Sequence, residues 1–313
     1  MDYQGPRPPD APVAAAPPGG VNVTVVAFNR LECTRRTLAA VRALAGWPHV
    51  LTVVDNASTD GTAAFLAEAL ARGTVDNVVT LARNMGPAVA CNLGWSLVAA
   101  EYYLRLDNDI VFTRSDWLAD MAAIAAASPR IGCVSYPIYR TPGEYLPASI
   151  DGSPAMLLPS HPWSSPGGCM LFTAAVRRAM GCWCEDYGTY GPEDGDMSRR
   201  LDQAGLLRAY VPDFAWGSHI GHDDANIAAY TTRKQTRQDY HKRDHTGTFT
   251  VNCLLYGGGL RPLCMERRFV PRLGGDGRVA FVLDRDYLAR WGTKMTAMKK
   301  VMGDLVNLSG QPG

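Results

Sequence analysis

Three times within its first hundred residues the chain couples a short apolar run to a longer stretch of helical period, and each apolar run stops at polar side chains. VNVTVVA (Val21 to Ala27) reads as a strand that ends at Phe28, Asn29 and Arg30, ahead of a helix over Leu31 to Leu44. Val50 to Val54 runs into a polar turn, Asp55 to Gly61, and then a helix over Thr62 to Ala71. Val75 to Leu81 passes through Arg83, Asn84, Met85, Gly86 and Pro87 into a helix whose apolar face includes Val89, Leu93, Leu97 and Val98. A fourth apolar run, Tyr102 to Leu106, stops abruptly at Asp107, Asn108 and Asp109. Strands alternating with helices of this length predict an α/β fold with a mostly parallel central sheet flanked by helices, and a ligand site at the carboxyl ends of the strands. Every polar cluster named above stands at such an end.

The Asp-Asn-Asp triplet admits two readings. Two carboxylates one residue apart repel unless a cation or hydrogen-bond donors neutralise them. Hard divalent cations such as Mg²⁺ or Mn²⁺ take carboxylate oxygens and bridge to substrate phosphates, which makes this a candidate metal site. Asp and Asn also favour solvated turns. Two familiar nucleotide sites are excluded, because neither a G-x-G-x-x-G nor a G-x-x-x-x-G-K-[ST] loop follows a strand.

With 313 residues, 47% of them hydrophobic, the chain is long enough for a substantial core. The net charge of +1 hides an asymmetry, since residues 225 to 313 hold 15 Lys+Arg against 7 Asp+Glu and leave 16 against 23 before them. A basic C-terminal part suits an acidic body to dock on, or an anionic acceptor, nucleic acid or membrane surface; docking is the preferred expectation. The eight cysteines are scattered and the closest pair, Cys182 and Cys184, lacks metal-ligand spacing, so reduced thiols and a cytoplasmic location are expected. Residues 1–20, rich in Pro, Ala and Gly, are expected to be a disordered tail without signal-peptide character, and no apolar run is long enough to span a membrane.

The order VTVVAFNR, TVVDNASTDGT, LARNMGPAVACNLGW and YYLRLDNDIVF resembles the family 2 glycosyltransferases of the GT-A fold. Gly167 to Phe172, Tyr190 to Asp194, Tyr210 to Asp213 and Ser218-His219 resemble the acceptor-side half of the same fold. The resemblance implies a domain over residues 21–224, divided into a nucleotide-binding half (21–112) and an acceptor half (113–224), followed by a basic accessory region (225–313).

It also implies roles. Ala27, Phe28, Asn29 and Arg30 with Asp55 match the positions that hold the nucleotide base, and Arg83, Asn84 and Pro87 match a further nucleotide-contacting segment. Asp107 is expected to face the ribose or share the metal, and Asp109 to bind Mn²⁺ or Mg²⁺ on the diphosphate of the nucleotide sugar. Asn108, between them, is the member whose loss should matter least. His219 resembles a late metal-ligating histidine, with His222 as its rival. Asp194 is the expected catalytic base, with Glu193 and Asp196 as alternatives; a helix over Gly195 to Ala204 follows the Glu193-Asp194 pair, and acids at a helix N-terminus are also favoured by its dipole. Trp163 is a candidate for stacking on a sugar or for the core.

The implied activity is metal-dependent, inverting transfer of a hexosyl group from a UDP-sugar to a hydroxyl of a glycan, lipid-linked glycan or modified nucleic acid. The alternatives are nucleotidyl transfer to a sugar phosphate, which normally needs a Gly-rich loop after the first strand, and a non-catalytic sugar- or nucleic-acid-binding protein. Beyond residue 222 the resemblance ends. There Tyr230 to His245 are polar and basic, Arg267, Arg268 and Arg272 form a small basic cluster, and Leu288, Trp291, Met295, Met298, Met302 and Leu305 mark an amphipathic helix. Packing onto the catalytic domain is the preferred reading of that stripe, ahead of membrane-surface contact or a homodimer.

Overall fold

The structure, a computed structural model, describes residues 14–137, 144–160, 167–222 and 247–309, apart from the side chains of His222 and of residues 302–309. The strand–helix alternation appears as expected. β1 (Ala14–Ala15), β2 (Val21–Ala27), α1 (Leu31–Leu44), β3 (His49–Asp55), α2 (Thr62–Ala71), β4 (Asn77–Thr80), α3 (Pro87–Leu97), β5 (Val98–Ala99) and β6 (Tyr102–Asp107) follow in order. β7 (Ile110–Phe112), α4 (Trp117–Ala127), β8 (Ile131–Ser135), β9 (Tyr145–Ala148), β10 (Met156–Pro159), β11 (Cys169–Thr173), α5 (Ala174–Met180), α6 (Glu193–Gln203), β12 (Leu207–Tyr210) and β13 (Gly217–His219) complete the body.

The central sheet runs β4-β3-β2-β6-β11-β8-β12-β10-β9. β2 lies between β3 and β6, parallel to both, and every one of its residues is buried, as an interior strand covered on both faces requires. Its register pairs Ala27 with Asp55 and Val26 with Asp107, so three strand ends open side by side. The sheet is parallel throughout this half and mixed in the other, where β12 runs parallel to β8. β11 is antiparallel to both β6 and β8, and β10 is antiparallel to β12 and β9, which makes the sheet mixed where a mostly parallel one was expected. The reversal has a site-building consequence: β11 starts where β6 ends, with Gly168 O accepting from Asp107 N at 2.7 Å.

Two apolar layers enclose the sheet. On one face Val21, Val23, Val25, Leu104 and Leu106 pack with Leu38, Val41, Leu66, Trp117 and Met121 from the helices. On the other, Val26, Val54 and Phe172 pack with Val89, Leu93, Trp95, Trp183 and Leu201. Burying side chains of this size is worth about 1.5–3 kcal/mol each, which sets the strand register firmly.

Part of the expected tail is ordered. Ala14–Ala15 pairs with Val98–Ala99, and Trp47 Nε1 donates to Gly19 O at 2.8 Å, so the small residues that suggested disorder let this backbone lie against the body instead. The accessory region packs on the body, as the preferred expectation had it. A helix over residues 247–257 (α7) and a hairpin of β14 (Phe269–Leu273) and β15 (Val279–Leu283) share the core, with Val279 in the second apolar layer and Tyr256 and Met265 packed on Cys184 and Tyr187. Arg261, 2% exposed, pairs with Asp186 at 2.8 Å, and Arg268 reaches the same carboxylate at 3.3 Å. Trp291 is buried, and Met295 and Met298 are half-buried, at the start of the C-terminal helix Thr293–Ser309. Residues 230–246 lie outside the described residues, as do the side chains of Met302 and Leu305. No helix among the described residues is long and apolar enough to cross a membrane.

Candidate functional site

A cavity of about 360 Å³ opens at the carboxyl ends of β2 and β6 and against the first turn of α6. Phe28, Arg30, Asn84, Pro87, Asp107, Asn108, Asp109, Glu193, Asp194 and His219 all line it. Ala27, Asn29, Asp55 and Arg83 do not reach its wall. Asn29 works behind it, its N–H donating to Ser58 Oγ and its Oδ1 accepting from Thr59 N, each at 2.8 Å. Both Asn29 and Arg30 have positive φ, 57° and 62°, which is uncommon for residues with a Cβ and turns the Arg30 side chain toward Asp109. Asp55 is fully buried; Oδ1 accepts from Ser58 N at 3.0 Å, while Oδ2 has no partner among the described residues. A buried acceptor left unmet costs about 1–3 kcal/mol, so this oxygen is available to a donor entering between the strand ends. Arg83 is exposed, with its Nε 3.3 Å from Met85 Sδ.

The Asp-Asn-Asp turn is held by its middle residue. Asn108 Nδ2 donates to Asn29 O at 2.9 Å and to Thr34 Oγ1 at 2.8 Å, and its carbonyl accepts from Thr37 Oγ1 at 3.0 Å. Asn108, the member whose loss was expected to matter least, ties the turn to α1 through Thr34 and Thr37 and to the preceding turn through Asn29, because a buried amide needs partners. Gly168 is required opposite: a Cβ there would lie 2.4 Å from Asp107 Oδ2. Asp109, 5% exposed, contacts Arg30 through Oδ2, and His219 Nε2 stands 3.4 Å from the same oxygen. β13 brings the histidine there by pairing His219 with Ile110.

Acids from both halves meet at one cation. Arg105, 2% exposed, donates to Asp194 Oδ1 and lies 3.3 Å from Glu193 Oε1 and 3.5 Å from Asp107 Oδ1. Burial and the neighbouring Asp194 charge push Glu193 up to about 8 against the pull of Arg105. Burial raises Asp107 to about 6, with Arg105 opposing and Asp109 and Asp194 adding to the rise; its side chain keeps 36% of its surface exposed, so water moderates the effect. Asp196 points elsewhere. It is fully buried, bound to Arg200 Nε at 2.7 Å and to the hydroxyls of Tyr187 and Tyr256 at 2.8 and 2.9 Å.

Residues 22–179 match the family model described as glycosyl transferase family 2, which is half of the chain. The chain belongs to glycosyl transferase family 2. No curated protein matches it in sequence. Among solved structures it is similar to the mannosyltransferase PcManGT from Pyrobaculum calidifontis in complex with GDP-Man and Mn²⁺, with 18% identity and a TM-score of 0.51 over 82% of this chain and 66% of that one. S. aureus TarS 1–349 in complex with UDP-GlcNAc gives 16% identity and a TM-score of 0.49 over 77% and 72%. The chain thus spans about two thirds of the mannosyltransferase it matches. The first of these likenesses supports the GT-A fold.

In this family 2 domain, the donors available to an ion are the carboxylates of Asp107 and Asp109 and the imidazole of His219, a set compatible with Mn²⁺ or Mg²⁺. Among the described residues no group of three or more His, Cys, Asp or Glu is gathered to hold a metal, so these three side chains are not assembled as a cage and an ion here would need further ligands. The side chain of His222 and all of Trp163 lie outside the described residues. The sequence assigned no site role to Arg105, Asn56 and Thr189, among other residues of the wall. Arg105 carried a signal, since a guanidinium inside an otherwise apolar strand must find acids. Asn56 and Thr189 carried none, because turn residues of this type are common everywhere.

Proposed function

We propose that the domain is a metal-dependent, inverting glycosyltransferase that moves a sugar from a nucleotide-sugar donor, UDP-linked in the preferred case, to an acceptor hydroxyl. One observation supports the reading: the same cavity is lined by Asp107 and Asp109 and by Glu193 and Asp194, acids from two separate parts of the chain. Asp55 and the Asn29–Arg30 turn are the proposed base-binding end, and Asn84 and Pro87 flank the donor. Asp109 with Asp107 and His219 are the proposed ligands of Mn²⁺ or Mg²⁺, which would supply Lewis-acid stabilisation of charge on the departing diphosphate.

Asp194 takes the proton of the acceptor hydroxyl as general base. The freed oxygen forms a bond to the anomeric carbon while the bond from that carbon to the diphosphate breaks, and its electron pair leaves with the nucleoside diphosphate. A single displacement of this kind inverts the anomeric centre. Burial and the neighbouring Asp194 charge hold Glu193 above the usual carboxylate range, which favours its neutral form.

The test is donor binding by thermal shift, with UDP- and GDP-sugars in the presence and absence of Mn²⁺ or Mg²⁺, followed by nucleoside diphosphate release. Asp109→Ala should lose metal-dependent donor binding, whereas Asp194→Ala should keep binding and lose transfer. No shift with any donor would overturn the function, and full transfer by Asp194→Ala would overturn the base assignment.

A further inference from the structure

Arg105 sits in the middle of β6, between Leu104 and Leu106, where an aliphatic side chain would satisfy the sheet. Burying a guanidinium there is costly, and a buried ion pair commonly gains nothing in stability over well-packed apolar residues of the same volume. Stability alone therefore does not account for an arginine at this position. What the side chain does is geometric. Its plane stands 4.8 Å from the centre of the Trp183 ring, which limits its rotation, and its Nε has no partner among the described residues, so its binding capacity is directed through the two terminal nitrogens. Nη1 meets Asp194 Oδ1, and Nη2 lies between Glu193 Oε1 and Asp107 Oδ1. These acids come from the end of its own strand and from a helix turn 88 and 89 residues away in sequence.

We infer that Arg105 is the positioning residue of the transfer reaction, fixing Asp194 so that its second oxygen, Oδ2, faces the acceptor hydroxyl; this rests on the reading of Asp194 as the base. With Oδ1 engaged by the arginine, the acceptor O–H bond breaks toward Oδ2. The oxygen's electron pair then forms the new glycosidic bond as the nucleoside diphosphate departs with its own. Arg105 does not touch the reacting atoms. It acts through Asp194, and its contact with Asp107 ties the orientation of the base to the donor side of the cavity. A planar fork can hold two carboxylates at once in fixed directions, which the point charge of a lysine cannot.

The experiment compares Arg105→Lys with wild type in three readouts: thermal midpoint, the dissociation constant for UDP with Mn²⁺, and kcat and KM for nucleoside diphosphate release from UDP-glucose, UDP-GlcNAc and GDP-mannose with water as acceptor. The expected result is a midpoint and a UDP–Mn²⁺ affinity close to wild type, an unchanged donor KM, and a kcat lowered about 100-fold, in the range that a general base contributes. Adding Arg105→Lys to Asp194→Asn should then cost little more than Asp194→Asn alone, because both act on one proton transfer. A kcat within threefold of wild type overturns the inference, as does a loss of affinity that matches the loss of kcat, or full additivity in the double variant. Should Arg105→Lys fail to fold, it is made in a Glu193→Gln background, which fixes that buried side chain as neutral, and compared with Glu193→Gln alone. Full activity in Asp194→Asn sinks the base assignment itself, an outcome distinct from any result at Arg105.

Discussion

Asp196 is the acid that separates catalysis from support in the Glu193-Asp194-Gly195-Asp196 turn, and Asp196→Asn isolates its charge without changing its size. The carboxylate accepts from Arg200 Nε and from two tyrosine hydroxyls, and both ions of the Asp196–Arg200 pair are fully buried. Removing one partner of a buried pair costs about 3–5 kcal/mol. The amide oxygen of Asn can still accept from Arg200, and Arg200 keeps the carbonyls of Met180, Leu263 and Cys182, so the lower end, about 3 kcal/mol, is expected. At about 2–4 °C per kcal/mol for a domain of this class, the midpoint should fall by ~6–12 °C. Thermal denaturation followed by circular dichroism reads the loss, and transfer activity per folded molecule, measured well below the midpoint, reads the role. A midpoint shift under 2 °C, or a selective loss of turnover as large as that of Asp194→Asn, would refute the structural assignment.

Gly168→Ala should weaken donor binding at least tenfold while costing about 1–3 kcal/mol of stability, since its Cβ meets Cβ as well as the carboxylate of Asp107; titration with UDP and Mn²⁺ checks it, and unchanged affinity counts against the close approach. Asn108→Ala should destabilise the protein by about 1–3 kcal/mol and also reduce donor affinity, because the turn loses its ties to Asn29 and Thr34. Acid stability reports on Asp186. Burial raises this carboxyl, but the Arg261 charge, the hydrogen bonds from Arg261 and Tyr287 and the Arg268 charge more than offset it and hold it below its usual 3.8. A depressed carboxyl contributes stability that is present above the unfolded value and is lost as pH falls through the folded one. The midpoint of wild type should therefore drop more steeply between about pH 5 and pH 2 than that of Asp186→Asn, and parallel curves would count against the pairing.

How much of this was legible in the sequence depended on whether the determining contacts were local. The first half was readable because a strand's residues share one period and its end is marked by polar side chains. β2, α1 and α2 fall on their expected ranges, and the strand ends at Asp55 and Asp107 lie beside β2 in register. The mixed half of the sheet was not, since the antiparallel return of β11 beside β6 is set by pairing across more than sixty residues and leaves no local pattern. The same holds for the accessory region. Its net positive charge was visible, but its docking is done by single residues, Arg261 on Asp186 and Tyr256 on Asp196, each 60 or more positions from its partner. Arg105 was hidden for the opposite reason: it stands inside a local apolar run whose pattern marks a strand whatever its one charged member does.

The two acid–arginine clusters share α6, and that explains how the accessory region bears on the chemistry. The first turn of this helix sends Asp194 to Arg105 in the cavity and Asp196 to Arg200, Tyr187 and Tyr256 behind it. Tyr256 belongs to α7, and Arg261 beyond it reaches Asn252, which in turn donates to the Tyr187 hydroxyl at 2.9 Å. The orientation of the proposed base is thus fixed from both sides, by the sheet through Arg105 and by the accessory region through Asp196. The family match covers residues 22–179 and so ends ahead of α6. Tyr256→Phe probes that link, because it removes a single hydroxyl bond to Asp196 and leaves the ring in place. If the accessory region serves only as cover, Tyr256→Phe changes stability by about 1 kcal/mol and leaves kcat alone. If it braces the proposed base, kcat falls with donor KM unchanged, by far less than in Asp194→Asn, and that is the expected outcome.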